Sequence, residues 1–568
     1  MSPILKKTRL ASIMIAGGML SACAAQQPIR TTLPATPVPI QILALNDFHG
    51  NLKVPQGEYT FVEDGTQRSV RLGGAARLAA LLESVRKANT VTVAAGDLIG
   101  ASPLISSLFL DEPTVRVLST LGLDVASVGN HEFDRGVAEL RRMQDGGCDK
   151  HTMRKPCAIE PFAGAGFNYL AGNTVDEAGN TLFPATQMQE IGGAQIGFIG
   201  LTLENTKNLV SAQATQGYTF LDEAQTANTL AAQLQSAGAD AVVLLIHEGA
   251  VVDPRFNIAG CPGLSGAVVP IVEALDPSIS VVVSGHTHQS YVCNVPTASG
   301  EDILLTSGGR YGAFVTDITM MVDPAAGIVT SVSARNIPVD GSAGSNAAVE
   351  QIVATYAEAS GPVANRPVGP IADTGVIGDD CGDRPAQQLV ADSYLDAANS
   401  ALSESADLAL VNSGSVRTYL TGADDGVLTF GELSAMAPFG NSLIVLEMTG
   451  AQIMAVLEQQ LCGDGPAVIC DSTLIPSTGT VYTLDVDKMA GKRVTGMQIN
   501  GAPLDPARSY RLVTNNFLVG GGDGFAQFTT VPQIANVGFD IDALEAYVAA
   551  GDVTIPVCGR VQGVLAAD

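Results

Sequence analysis

Short apolar runs recur along the first 340 residues, and polar stretches with helical spacing separate them. Such runs, bounded by turn residues, are typical of buried β-strands. They cover residues 40–45, 91–95, 125–128, 196–201, 241–246, 279–283 and 303–306. Alternation of strands with helices predicts a layered α/β domain, which we place at residues 40–345.

The pattern changes after residue 345. Residues 346–360 carry apolar side chains at helical spacing, and Gly361-Pro362 is predicted to end that helix. We therefore expect a connecting helix and linker over 346–372. Residues 373–568 mix a helix at 387–399 with strands at 408–412, 443–448 and 481–486, and a hairpin is predicted to turn at Asn500-Gly501. This half is predicted to be a smaller α+β domain.

The amino terminus has the pattern of an export signal. Residues 1–23 combine basic residues with a short apolar stretch and end in Leu20-Ser21-Ala22-Cys23, which resembles a bacterial lipobox. The resemblance implies lipidation at Cys23, and the alternative is an ordinary signal peptide with a chance cysteine. The proline-containing residues 24–39 are predicted to be a flexible tether. We expect a chain anchored by lipid at the cell envelope, at an outer membrane facing the periplasm or the cell surface.

The net charge of the chain limits the kinds of partner that it can bind. The chain has 57 acidic and 30 basic residues, a formal net charge of −27, and no basic run that could follow a nucleic-acid backbone. This argues against a nucleic-acid polymer as partner. A small phosphorylated substrate would have to be captured locally, by metal ions and a few arginines.

Eight cysteines besides Cys23 in an exported chain predict disulfides. Proximity in sequence favours Cys148–Cys157 and Cys462–Cys470, and next Cys261–Cys293, which leaves Cys381–Cys558. Eight cysteines allow 105 pairings, so other connectivities stay open. A zinc–thiolate site has less support because the sequence has no Cys-x-x-Cys pair.

Five of the six histidines fall in short polar motifs that directly follow predicted strands. The motifs contain Asp47 and His49, Asn130 and His131 with Asp134, His247, and His286 with His288, and Asp97 adds a carboxylate after another strand. Polar residues at the carboxyl ends of neighbouring strands can share one crevice. A lone histidine at a strand end is usually structural, but this combination predicts a metal site. Its ligand types suit zinc, manganese or iron better than calcium.

These motifs, together with the segment 72–78, resemble the calcineurin-like metallophosphatase superfamily. With the C-terminal segments described next, the chain resembles the 5'-nucleotidase family, which includes bacterial periplasmic 5'-nucleotidase/UDP-sugar hydrolases, over about residues 40–550. The resemblance implies a four-layer α/β/β/α metallophosphatase domain followed by the smaller substrate-binding domain. It also implies two divalent ions, one held by Asp47, His49 and His288, the other by Asn130, His247 and His286, with Asp97 bridging both. His131 and Asp134 would form a catalytic dyad.

Three C-terminal segments, at 412–417, 438–441 and 516–525, resemble the family's substrate-binding segments. By that resemblance Phe439 and Phe517 would enclose a nucleobase and Asp523 would accept hydrogen bonds from ribose. The remaining substrate-binding residues implied are Asn130, Arg384, Asn412, Arg417 and Asn441. The chain departs from the family pattern at Ser415, where a glycine is common, and at Gln387-Gln388.

The resemblance implies a hydrolase that removes the 5'-phosphate of nucleotides with a metal-activated water. UDP-sugars and 2',3'-cyclic nucleotides are further candidate substrates, and we expect a monomer. One alternative is a related dimetal hydrolase of another ester, such as the family's thiosulfohydrolase branch. Another is a surface lipoprotein that binds nucleotides without turnover. The two phenylalanines argue against the first alternative, because a small inorganic leaving group has no base to stack.

Overall fold

The structure is a computed structural model that describes residues 36–63, 65–211, 213–371, 385–418, 426–462, 468–470, 472–551, 553 and 559–563. The predicted signal, with Cys23, and most of the tether lie outside these residues, as do Cys381, Arg384 and Cys558. Within the described ranges, every helix is too short or too polar to cross a bilayer.

Two six-stranded mixed sheets form the centre of the N-terminal domain. The first has the order Ile328–Pro338, Phe314–Asp323, Val38–Leu45, Thr90–Ala95, Val125–Ser127 and Asn168–Leu170. The second has the order Ser290–Pro296, Asp302–Gly308, Ile279–Val283, Ala241–His247, Ala194–Thr202 and Thr186–Ile191. All seven predicted strands are present, and the central strands of each sheet run parallel.

The two sheets pack face to face. Ile42 and Val93 of the first sheet share a buried core with Ile196, Val243 and Val281 of the second. The outer faces are covered by the helices Ala75–Val85, Leu104–Ser107, Glu112–Thr120, Val137–Asp145, Thr206–Leu209, Glu223–Ser236 and Val268–Glu273. Apolar clusters lie beneath the helices on both sides. The predicted α/β/β/α layering is confirmed.

The connecting helix differs from its prediction at one end. It spans Ala347–Ala364 and therefore passes through Gly361 and Pro362. Pro362 lies in the last turn, where it removes one backbone hydrogen bond to the preceding turn, and packing of the helix on the N-terminal core offsets that loss. Buried Tyr356 anchors the helix, and its ring contacts the edge of Phe109 at 5.0 Å between centroids.

The C-terminal domain has its own core and two main sheets. The five-stranded sheet has the order Leu474–Pro476, Leu408–Asn412, Ser509–Asn515, Ser442–Thr449 and Gln533–Phe539, and the four-stranded sheet the order Ala502–Pro503, Val494–Ile499, Thr480–Leu484 and Val561–Gly563. The helices are Pro385–Ala401, Phe430–Met436, Gly450–Glu458, Asn516–Val519 and Asp540–Ala549. Asn500 and Gly501 both have positive φ, 52° and 76°, so the predicted hairpin turn is present.

Four further two-stranded pairs complete the described strands. They are Tyr59–Glu63 with Thr66–Val70, Thr174–Asp176 with Tyr218–Phe220, Pro367–Pro370 with Val427–Thr429, and Leu461–Cys462 with Val468–Ile469.

Three of the predicted disulfides are present. They join Cys148 to Cys157, Cys261 to Cys293 and Cys462 to Cys470. The fourth predicted pair, Cys381–Cys558, lies outside the described residues. Disulfides persist in oxidising compartments, so these three indicate an extracytoplasmic location.

Candidate metal centre and substrate cleft

The strand ends bring the predicted metal ligands together in two clusters. Asp47, His49 and His288 form one, and Asp97, His247 and His286 form the other. Within each cluster the ligand atoms lie within 4.8 Å of one another. The parallel strands explain the convergence, because their carboxyl ends meet at one edge of each sheet.

Asp97 lies between the two clusters. Its Oδ2 is 2.9 Å from His247 Nε2 and 3.6 Å from His49 Nε2. In the other cluster, His288 Nε2 lies 3.3 Å from Asp47 Oδ1 and 3.2 Å from His49 Nε2. This geometry supports the prediction that Asp97 bridges two ions.

The buried polar atoms at the centre fit a metal. Asn130 Oδ1 is buried and has no hydrogen-bond partner among the described residues, and His247 Nε2 is buried beside the Asp97 carboxylate, 2.9 Å from its Oδ2. His49 Nδ1 lies 3.0 Å from the Gly100 carbonyl and His247 Nδ1 lies 2.7 Å from the Ala95 carbonyl, so each Nε2 is directed into the centre. This arrangement is common for ligating histidines. The residues present therefore suit two divalent ions.

Burial keeps most of these imidazoles neutral. It lowers the pKa of His49 and His288 well below the usual range and that of His286 to about 4. Burial also opposes a charge on His247, but Asp97 outweighs it and raises the pKa of His247 to about 10. Neutral imidazole is the form that binds metal.

The backbone at the ligands is unusual. Asp47, His49, Asp97, His286 and His288 all have φ between 44° and 68°. Non-glycine residues rarely adopt this region, although Asp and His do so more often than most. Such conformations persist where the surroundings impose them and are concentrated at functional sites.

Glu132 supports the loop that carries the bridging carboxylate. Its side chain accepts hydrogen bonds from the backbone N–H groups of Asp97, Leu98, Ile99 and Gly129, at 2.6–3.3 Å. Burial and the neighbouring Asp97 raise its pKa to about 7, while these donors lower it. Glu132 thus holds the backbone of one ligand loop and the residue before Asn130.

We expect Glu132→Ala to lower the free energy of unfolding by at least about 3 kcal/mol, because it leaves several buried N–H donors without an acceptor. Chemical denaturation in chelator measures this without a contribution from metal. Glu132→Gln, which keeps an acceptor, should lose less. Equal stability of the Ala variant and the wild type would contradict this role.

The two residues of the predicted dyad lie within hydrogen-bond distance of each other. His131 Nδ1 lies 3.0 Å from Asp134 Oδ1, and the His131 backbone N–H donates to Asp97 Oδ1 at 2.8 Å. Asp134 is itself fixed by the backbone N–H of Ala101 at 3.0 Å. Burial opposes a charge on His131, but Asp134 and Asp97 outweigh it, so its pKa is raised. The geometry allows the imidazole to be held as a proton donor beside the metal centre.

The C-terminal domain meets the metal centre through Phe439. Its ring stacks on His131, with centroids 5.7 Å apart and planes 24° apart. The Arg417 guanidinium lies 5.8 Å from the centre of the Phe439 ring. Both domains line one cleft of about 1040 Å³, which includes Phe439, Phe517, Arg417 and Asn441.

Phe517 lies on the Gly522 backbone rather than on Phe439. A Cβ at Gly522 would come within 2.4 Å of the Phe517 ring, so only glycine allows this packing. No stack between Phe439 and Phe517 is found among the described residues. Enclosure of a base by these two rings stays a prediction.

Asp523, the predicted ribose-binding residue, is joined to Asn412, another predicted substrate-binding residue. Asn412 Nδ2 donates to Asp523 Oδ2 at 2.7 Å, and Asn515 Nδ2 donates to Asn412 Oδ1 at 3.1 Å. Ser415 also donates to Asn412. The departure from glycine at position 415 therefore adds a hydrogen bond beneath the cleft.

Sequence reasoning missed several residues that line the cleft. Arg135, Arg255, Arg310 and Tyr311 are among them. Arg310 and Tyr311 follow the strand Asp302–Gly308 at its carboxyl end, and the Tyr311 N–H donates to the Asp47 carbonyl at 2.7 Å. The rule that located the metal ligands, namely polar residues at the carboxyl ends of strands, would also have located Arg310 and Tyr311.

Two family models match the chain. Residues 40–290 match the calcineurin-like phosphoesterase model, and residues 363–530 match the 5'-nucleotidase C-terminal domain. The chain is 30% identical over 95% of its length to a cell wall protein of Listeria monocytogenes, covering 71% of that protein. It is also 30% identical over 86% of its length to endonuclease YhcR of Bacillus subtilis, but spans only 38% of that protein.

A solved structure shows the same fold. The 5'-nucleotidase precursor from Thermus thermophilus superimposes with a TM-score of 0.74 at 22% identity, over 92% of this chain and 99% of that one. The two-sheet fold and its paired Asp/His clusters define a metallophosphoesterase. With both domains matched, the chain belongs to the 5'-nucleotidase family.

Proposed function

We propose that this chain hydrolyses 5'-nucleotides to nucleoside and phosphate. The observation that carries the proposal is a single cleft that joins the metal centre to Phe439 and Phe517. The phosphate would lie at the metal clusters, and the nucleoside would extend toward the C-terminal domain. UDP-sugars and 2',3'-cyclic nucleotides are further candidates for the same cleft.

Each part of the site has a proposed task. Bound divalent ions, zinc, manganese or similar, would activate water and neutralise phosphoryl charge. His131, held by Asp134, would protonate the leaving oxygen or stabilise the transferring group. Arg417 would contact the phosphate or ribose, Asp523 would accept hydrogen bonds from the ribose, and Asn412 with Asn441 would fix the orientation of the substrate. Arg384 lies outside the described residues, and its role stays a prediction.

The charge of the chain favours a mononucleotide over a polymer. Its formal net charge is −27, which repels a long polyanion, whereas arginines in the cleft can capture a small one. A relative named as an endonuclease makes the polymer a useful negative control. We further propose that Cys23 carries lipid and anchors a monomer at the cell envelope.

The test is phosphate release from AMP and from a small aryl phosphate by protein lacking residues 1–23, loaded with manganese or zinc. In the Phe439→Ala/Phe517→Ala variant, kcat/KM for AMP should fall at least about tenfold, because a stacked ring contributes about 1–3 kcal/mol. Turnover of the aryl phosphate should persist. Met489→Ala, at an exposed residue outside the cleft, is the control.

Other outcomes of this assay would favour a different substrate or function. Cleavage of the aryl phosphate alone would support a metallophosphoesterase of another ester. Nucleotide binding without any turnover in the metal-loaded protein would support the binding-protein alternative. Phosphate release from single-stranded oligonucleotides at the rate measured for AMP would contradict the proposed preference for mononucleotides.

A further inference from the structure

One of the three disulfides lies at the edge of the substrate cleft. It joins Cys462 to Cys470, eight positions apart, and Cys470 lines the cleft. The short turn Ser413–Ser415 lines the same cleft. Asn412 and Arg417, two predicted substrate-binding residues, flank this turn. The position of the turn therefore sets where these two side chains would meet a nucleotide.

The chain that follows Cys470 holds the first residue of the turn. Ser413 donates its backbone N–H to the Thr473 carbonyl at 2.9 Å, and its Oγ accepts from the Thr473 N–H at 3.2 Å. The hydroxyl oxygens of Ser413 and Ser472 lie 2.9 Å apart. Ser472 and Thr473 are both buried. Three hydrogen bonds therefore join the turn to the chain just beyond the disulfide.

Ser472 and Thr473 lie at the end of a short edge strand. They precede Leu474–Pro476, a strand of three residues at the edge of the five-stranded sheet. Strand ends with few contacts open more readily than central strands. The disulfide fastens the chain just before this end. The Cys470 N–H also donates to the carbonyl of buried Gln460 at 2.9 Å. The disulfide thus keeps the chain from separating from Ser413.

A second contact holds the same turn. Gln387 Nε2 donates to the Ser413 carbonyl at 3.1 Å, and Gln387 is only 1% exposed. The Ser413 carbonyl also accepts from the Val416 N–H at 3.3 Å, which closes the turn. Gln387 is one of the departures from the family pattern. A change at Gln387 disturbs the turn while the disulfide stays intact.

We propose that the Cys462–Cys470 disulfide is a positioning element that fixes the turn Ser413–Ser415 for substrate binding. Its effect on a nucleotide would be exerted through Asn412 and Arg417. This inference rests on the proposed function, because the turn matters for turnover only if a nucleotide binds between the domains. The disulfide would leave the metal centre unaffected, since both ligand clusters belong to the N-terminal domain.

The chain supplies a matched disulfide for comparison. Cys148 and Cys157 are nine positions apart, which closes a loop of nearly the same length, and both lie outside the residues that line the cleft. Disulfides that close loops of similar length constrain the unfolded chain to a similar extent. Loss of either disulfide should therefore lower stability comparably, whereas only one of them adjoins the substrate turn.

The test compares Cys462→Ser/Cys470→Ser with Cys148→Ser/Cys157→Ser in the full metal-loaded chain. For the first variant we expect KM for AMP to rise about 5–30-fold, the effect of losing one or two hydrogen bonds that order the turn. Its kcat should stay within about twofold, because binding of the ground state and of the transition state is weakened alike. The kcat/KM for a small aryl phosphate should also change less than about twofold. The second variant should match the wild type with both substrates.

A double-mutant cycle tests whether the effect passes through Ser413. Ser413→Ala removes the hydroxyl and keeps the backbone N–H, so KM for AMP should rise less than in the disulfide variant. Removal of the disulfide in that background should raise KM by a smaller factor than in the wild type, because the two changes disturb the same contacts. Equal factors in both backgrounds would show that the disulfide does not act through Ser413.

Gln387→Ala keeps the test decisive if the disulfide variant fails to fold. It removes the donor to the Ser413 carbonyl and leaves both cysteines in place. KM for AMP should rise, and turnover of the aryl phosphate should persist. An unchanged KM would show that the turn does not position the substrate, and the inference would fail with it.

Three further results would overturn the inference. They are a wild-type KM for AMP in the Cys462/Cys470 variant, an equal loss with both substrates, or an equal rise in KM in the two disulfide variants. Calorimetric titration with adenosine distinguishes these results from failure of the proposed function. A wild type that neither binds adenosine nor hydrolyses AMP contradicts the proposed function. A wild type that does both, beside an unaffected Cys462/Cys470 variant, contradicts only the role of the disulfide.

Discussion

Replacement of Asp97 by asparagine is expected to lower kcat/KM about 1000-fold or more with AMP and with an aryl phosphate alike. The carboxylate lies between both clusters, 2.9 Å from His247 and 3.6 Å from His49. Asparagine keeps its shape but removes the negative charge that two divalent ions need. Metal catalysis supplies several kcal/mol, and each 1.36 kcal/mol is tenfold in rate.

Steady-state kinetics and elemental analysis of bound metal check this result together. Asp240→Asn is the matched control, because Asp240 accepts from the Gln195 N–H at 2.8 Å at the opposite edge of the second sheet. That variant should keep both metal and rate. An Asp97 variant that binds two ions and turns over normally would show that Asp97 does not bridge them.

Replacement of His131 by asparagine should lower kcat for AMP about 10²–10⁴-fold while metal content stays unchanged, because the imidazole is held beside the centre by Asp134. His151→Asn, which changes an exposed histidine outside the site, is the control. A series of aryl phosphates with increasingly acidic phenol leaving groups tests which of its two proposed roles His131 has. If His131 protonates the leaving oxygen, its loss should matter less for acidic phenols.

A loss of the same size for every leaving group would instead assign His131 to stabilising the phosphoryl charge. A rate unchanged from the wild type would remove it from the proposed mechanism. In that case the stack of Phe439 on His131 would be a packing contact only.

The sequence predicts the scaffold of this site well because the rules involved are local. Apolar runs mark the strands, and the carboxyl ends of parallel strands share one edge, so Asp47, Asp97 and His247 converge as predicted. The Asn500-Gly501 turn follows from the positive φ that both residues tolerate.

Features that depend on tertiary contacts were not predictable in this way. The helix Ala347–Ala364 passes Pro362 because its packing against the N-terminal domain outweighs a local stop signal. The hydrogen bond from the Asp540 N–H to the Asn441 carbonyl, at 2.8 Å, has no sequence signal, since the two residues are about a hundred positions apart. The position of the Phe439 ring over His131 depends on how the two domains meet.

The metal centre also has a mechanical consequence for the N-terminal domain. Asp47, His49 and Asp97 follow strands of the first sheet, whereas His247 ends one strand of the second sheet and His286 and His288 follow another. Each cluster takes ligands from both, so each ion would act as a cross-link between the sheets. A ligand that binds only the folded state adds its binding free energy to the stability of that state. Bound ions would therefore stabilise the interface between the two sheets. Removal of the metal would lower the free energy of unfolding of the domain as well as abolish turnover.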